Sequence, residues 1–140
     1  MAKPIVSGAT FPVSPRELYR VFMDSRLHAA AIGSTARIDA RVGGKFAVFE
    51  GSITGKTLHV APGKLVVQTW RGNHWAKSDP DSILIVHFLG TAKAGRIELV
   101  HEGVPSHDLK GVTSGWNAYY WKPWKAYFAK RAGKPKRPRR

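Results

Sequence analysis

The final folded segment constrains this chain more than any other. Between about Asp108 and Arg131, the residues Val112, Trp116, Tyr119, Tyr120, Pro123, Trp124 and Tyr127 recur at spacings of three and four. That spacing predicts one long helix with an aromatic face. Rings of this size carry large buried areas, so the stripe must lie against an extended apolar surface. Pro123 sits inside the pattern, lacks a backbone donor and crowds the preceding turn, and a kink or one-turn disruption is expected there.

The surface that receives the helix is read as a sheet. From Thr35 to Gly103, short extended runs are cut by Gly43-Gly44, Gly55-Lys56, Pro62-Gly63, Asp79-Pro80-Asp81 and Ala94-Gly95. Candidate strands are Ala36 to Val42, Lys45 to Gly51, Lys56 to Val60, Lys64 to Arg71, Ser82 to Leu89 and Arg96 to Glu102, an antiparallel meander. Alternation puts Phe46 and Val48, then Val66, Gln68 and Trp70, then Leu84, Val86 and Phe88, then Ile97, Leu99 and His101 on one face. Upstream, Ile5 to Phe11 reads as a first strand closed by Pro12. Two short helices follow. Ser14, Pro15 and Glu17 form a capping box for the first, and the second runs from Arg26 to Ile32 between the cap candidate Ser25 and the terminator Gly33. The order implies an α+β helix-grip architecture, with a curved antiparallel sheet of six to seven strands wrapped around the carboxy-terminal helix.

The length of 140 residues, 43% of them hydrophobic, fits one domain over residues 1–129. The absence of cysteine excludes a disulfide framework and thiolate metal sites. No apolar run reaches the length of a membrane-spanning helix, and the amino terminus lacks the apolar stretch of a secretory signal, so a cytoplasmic chain is expected. Lysine and arginine number 23 against 9 acids, a net charge of +14, but seven of the basic groups lie in residues 130–140. Without them 16 basic groups face 9 acids, leaving +7. This Pro- and Gly-broken tail, with Lys130, Arg131, Lys134, Lys136, Arg137, Arg139 and Arg140, is expected to be disordered and able to contact nucleic acid or an anionic membrane.

Catalytic motifs are not what the sequence offers. Gly51 to Thr57 imitates a phosphate-binding loop, but three residues separate its glycines where four are required, and it lies between strands, so a hairpin turn is expected. The six histidines show no metal-ligand spacing, the carboxylates are scattered, and no serine sits in a nucleophile elbow. No enzyme activity, metal or cofactor is expected. The expected function is binding of a small hydrophobic or aromatic ligand between sheet and helix. Its lining would be Phe46 and Val48, Gln68 and Trp70, Val86 and Phe88, and Leu99 and His101 from the strands, with Trp116, Tyr120 and Trp124 from the helix. Gln68 and His101 would orient the ligand, although a satisfied core histidine is the commoner role for His101.

Four segments carry a family likeness: Ser14 to Phe22, Val42 to Phe46, Leu65 to Arg71 and Gly115 to Tyr120. In this order they resemble the carboxy-terminal domain of the activator of the ninety-kilodalton heat-shock-protein ATPase, within the START-like superfamily, over roughly residues 10–128. The resemblance implies the helix-grip fold. It also implies, as an alternative function, a co-chaperone-like module that binds a heat-shock chaperone and stimulates its ATPase, although 140 residues leave no room for the activator's separate amino-terminal domain. The wider superfamily implies hydrophobic ligands. Many bacterial relatives carry a Trp-Phe pair where this chain has Ala29 to Gly33, and the smaller residues imply a roomier mouth.

Overall fold

The structure is a computed structural model that describes residues 3–133. Seven strands form one antiparallel sheet: β1 (Ile5–Phe11), β2 (Ala36–Ile38), β3 (Lys45–Val48), β4 (Ile53–Ala61), β5 (Leu65–Gly72), β6 (Ser82–Thr91) and β7 (Ala94–Glu102). Their spatial order is β1-β7-β6-β5-β4-β3-β2. The meander runs in sequence from β2 to β7, and β1 closes the far edge by pairing Ile5 with His101 through Phe11 with Gly95. A register shift between Thr57 and His59 interrupts the β4–β5 ladder, the kind of irregularity that lets a strand bend around a core.

The helices α1 (Pro15–Met23) and α2 (Ser25–Ile32) cross from β1 to β2. Ser14 caps α1 by accepting the Glu17 N–H at 3.1 Å, but Glu17 turns its carboxylate to Arg20, so only half of the expected box forms. Asp24, not Ser25, caps α2. The Ser25 hydroxyl instead bonds both the N–H and the C=O of Ile38, at 2.8 and 3.2 Å, and so blocks further pairing along the outer edge of β2.

The carboxy-terminal helix differs from a uniform one. After a short 3₁₀ turn (Ser106–Asp108) come α3 (Leu109–Gly115), a π-helical stretch (Trp116–Trp121) and α4 (Lys122–Gly133). The Lys122 N–H reaches the Asn117 carbonyl, five residues back, and Pro123 follows immediately. The wide turn thus ends beside the residue that cannot donate. It also rotates the stripe: Trp116, Tyr120, Trp121, Trp124 and Phe128 are buried, whereas Tyr119, expected to face inward, is 63% exposed.

Other boundaries move for local reasons. Phe49 to Ser52 makes the β3–β4 turn, so Gly55-Lys56 is strand and not turn. Gly55 is required there by close approach, because a Cβ would strike the Thr69 carbonyl and the Phe46 ring. The region Asp39 to Gly44, expected to continue the second strand, is a loop in which Asp39 binds Arg41. Helix α4 reaches Gly133, placing Lys130 and Arg131 on the helix rather than in the tail, and Lys134, Lys136, Arg137, Arg139 and Arg140 lie outside the described residues.

Two polar relays fasten helix to sheet within the aromatic core. The Trp116 indole Nε1–H can only donate, so His101 Nδ1 accepts it at 3.2 Å. His101 Nε2–H then donates to Ser82 Oγ at 2.8 Å, and the hydroxyl donates to the Trp70 carbonyl at 2.6 Å. In the second relay Tyr120 Oη–H donates to His28 Nε2 at 2.8 Å, while His28 Nδ1–H donates to the Phe22 carbonyl at 2.8 Å. Burial pushes the pKa of both imidazoles down to about 4; for His28 the bond to Phe22 only partly opposes this.

Two expected outcomes follow from this core. Each unfolded-state histidine takes up a proton as pH falls through about 6.5 while the folded one stays neutral to about 4, so stability is complete above that window and is lost on acidification. At about 1.4 kcal/mol per pKa unit, roughly 2 kcal/mol per histidine should disappear between pH 7 and pH 5, read from urea unfolding. Gly55→Ala should cost about 2–3 kcal/mol in the same assay at pH 7, because the obstruction is backbone as well as ring.

Candidate functional site

All eleven residues expected to line a ligand site are buried, and the alternation that placed them on the inner face is reproduced strand by strand. Burial, however, has filled the space between them. Phe46, Val48, Gln68, Trp70, Trp116 and Tyr120 surround a central void of about 10 Å³, room for one water at most. Gln68 spends its amide on Thr57 Oγ1 at 3.5 Å. His101 has both ring nitrogens committed, and Val86, Phe88, Leu99 and Trp124 border neither this void nor the larger cavity described next. Trp124 is fully buried, and its Nε1 has no partner among the described residues. Its ring stands edge-on to His28 and Phe22, so its role is packing.

A cavity of about 430 Å³ does open on the surface, displaced toward the start of the carboxy-terminal helix. Trp70, Trp116 and Tyr120 partition it from the central void. Phe49 and Ile53 close the side nearest β4, and Val112 and Tyr119 close the helical side. Polar groups come from the loop after β5, namely Asn73 and His74, and from Asp108 before α3. The cavity borders none of Ala29 to Gly33, so the roomier mouth expected there is found elsewhere.

Two loops meet over this cavity, and each contributes one histidine and one aspartate to hold the other. Asp108 Oδ2 accepts the Trp75 indole N–H at 2.8 Å and lies 3.1 Å from His74 Nε2. His107 Nε2 lies 2.8 Å from Asp79 Oδ2, and that bond holds the Asp79 carboxyl below its usual range. Arg71 adds bonds to the Asp79 and Ala76 carbonyls, both at 2.6 Å, tightening the β5–β6 loop. On the helical wall, burial raises the Tyr120 phenol pKa, so it serves His28 as a neutral donor.

Sequence reasoning placed Trp70, Trp116 and Tyr120 at a binding surface and missed Phe49, His74, Asp108, Gly111 and Gly115. The available signal was the helix itself. Gly111 and Gly115 stand one turn apart within a helical pattern, where each costs about 1 kcal/mol relative to alanine.

With the geometry established, comparison with known proteins locates the chain. Residues 12–129 match the family model "Activator of Hsp90 ATPase homolog 1-like protein". The human protein named activator of 90 kDa heat shock protein ATPase homolog 1 is 33% identical over 121 residues, covering 85% of this chain and 35% of the human protein. The Dictyostelium discoideum homolog is 30% identical over 106 residues, covering 76% of this chain and 28% of its own length. The chain thus spans about a third of the length of the curated relatives it matches. Among solved structures, an HSP90 activator from Plasmodium falciparum superposes with a TM-score of 0.79 at 24% identity, covering 97% of this chain and 100% of that one. The Aha1 dimer from Colwellia psychrerythraea gives 0.75 at 14%, covering 91% and 96%. By fold and by sequence, the chain belongs to the activator of Hsp90 ATPase homolog 1-like family.

Proposed function

We propose that this chain is a co-chaperone-type module that binds a ninety-kilodalton heat-shock chaperone and stimulates its ATPase. The observation that carries this reading is the family match over residues 12–129, which takes in every element from α1 through most of α4. Relatives named as ATPase activators contain this domain, and the Plasmodium structure titled an HSP90 activator is matched along its whole length. The expected ligand between sheet and helix has about 10 Å³ available to it, so it does not compete as the leading reading. Contact through the basic tail falls largely outside the described residues.

The surface supports an acidic partner. On the outer face of β3 and β4, Lys45 stands directly opposite Lys56, a like-charge pairing that weakens a sheet unless something anionic meets it. Arg37 lies on neighbouring β2, and all three side chains are exposed. Among the described residues none of the three enters an ion pair; Asp39, the acid beside Lys45, is held by Arg41 at 2.8 Å. Stimulation requires no catalytic group of its own. A module that binds the hydrolysis-competent conformation of its partner about 1.4 kcal/mol more tightly than the resting one raises that population about tenfold when it is rare.

The direct test adds the chain to a purified ninety-kilodalton heat-shock chaperone and follows ATP turnover. Turnover should rise about twofold or more, and the effect should fade as salt screens the contact. The triple substitution Arg37→Glu, Lys45→Glu, Lys56→Glu should reduce stimulation about tenfold with the melting temperature preserved. Unchanged turnover, with no complex by sedimentation, would remove the proposal.

A further inference from the structure

We infer that the 430 Å³ cavity beside α3 binds a planar apolar small molecule bearing one hydrogen-bond donor, its rings against Trp70 and Trp116 and its donor on Asp108. The inference rests on locally unfavourable choices that converge on this one space. Gly111 and Gly115 both border it, and both weaken α3. A Cβ on Gly115 would sit 3.5 Å from the Tyr119 ring, an ordinary contact, so the fold does not forbid a side chain there; a larger one would occupy the cavity. A Cβ on Gly111 would lie 3.1 Å from Asp108 Oδ1, so glycine at that position keeps the carboxylate uncrowded.

Asp108 itself stands at the cap position of α3 and makes no capping bond. It gives Oδ2 to Trp75 and His74, while Oδ1 has no hydrogen-bond partner among the described residues. A carboxylate oxygen at the edge of an aromatic space discriminates among ligands: a donor satisfies it, whereas a purely apolar molecule strips its water without replacement. Phe49 and Glu50 add backbone strain, with φ of 54° and 57° in the left-handed region. This conformation sets the Phe49 ring 6.1 Å from Tyr119 and 5.7 Å from Tyr120, forming the wall opposite the glycines. Size and composition match small-molecule sites: several hundred Å³, mostly aromatic, with few polar groups.

The test uses 2-naphthol and 2-methoxynaphthalene, which differ in the donor, titrated into the full chain and followed by NMR at the tryptophan indole N–H signals. 2-Naphthol should saturate a single site, move Trp70 and Trp116 but not Trp124, and bind about tenfold more tightly than the methyl ether. Gly115→Leu should weaken 2-naphthol about tenfold or more while the melting temperature holds or rises. Gly115→Ala, which the backbone accepts without displacement, should weaken it to a lesser degree with the same fold retained. Asp108→Asn should erase most of the preference for the donor. No saturable binding of either probe, or binding that Gly115→Leu leaves unchanged, would overturn the site; equal affinity for the two probes would overturn the donor assignment. None of these readouts involves ATP turnover, so the result is independent of the chaperone proposal.

Discussion

The contact between the Trp116 indole and His101 fixes how the carboxy-terminal helix lies on the sheet. Trp116 sits at the first residue of the π-helical stretch and His101 near the end of β7, so their 3.2 Å bond sets both the rotation of the helix and its position along the strands. The indole can only donate, which commits His101 to one tautomer, and that tautomer commits Ser82 to the Trp70 carbonyl. Trp70 in turn packs 4.6 Å from His101 and 6.1 Å from Trp116, closing the cluster. A helix free to roll would expose several of the largest rings in the chain; this relay opposes that motion with directional bonds inside a dry core, where they are strongest.

The second relay performs the same task with the helical hairpin. Tyr120 to His28 to the Phe22 carbonyl ties the π-helical stretch to α1 and α2 across 92 residues of sequence. The two relays leave almost no space between them, which is why the residues that alternation assigned to a ligand pocket form a packed centre. Space survives only where the helix carries glycine in place of a ring, at Gly111 and Gly115, and there the cavity opens to solvent.

Much of the architecture was legible from local rules. Alternation in β5, β6 and β7 identified the inner face, Ser14 marked the start of α1, and Pro123 announced an interruption of the last helix. What was not legible depended on distant partners. Gly55 reads as a turn until the Phe46 ring across the ladder shows why no side chain fits. Ser25 reads as a cap until Ile38 claims its hydroxyl. The one-residue excess of a π-turn cannot be read from a spacing of three and four, so Tyr119 and Trp121 exchanged faces. The site suffered most, because the left-handed Phe49 and the uncapping Asp108 have no sequence signature. The family likeness was the strongest functional signal, and the packed centre agrees better with a binding module than with a carrier of a central ligand.

The central claim is that two neutral histidines of opposite tautomer close the core. Nitrogen-15 NMR of the imidazole rings at pH 7 tests it most directly. The account predicts protonation on Nε2 for His101 and on Nδ1 for His28, each as a single unexchanging form, with the Trp116 indole proton slow to exchange. Averaged tautomers, or an imidazolium at either position, would show that water reaches the centre and would contradict the account.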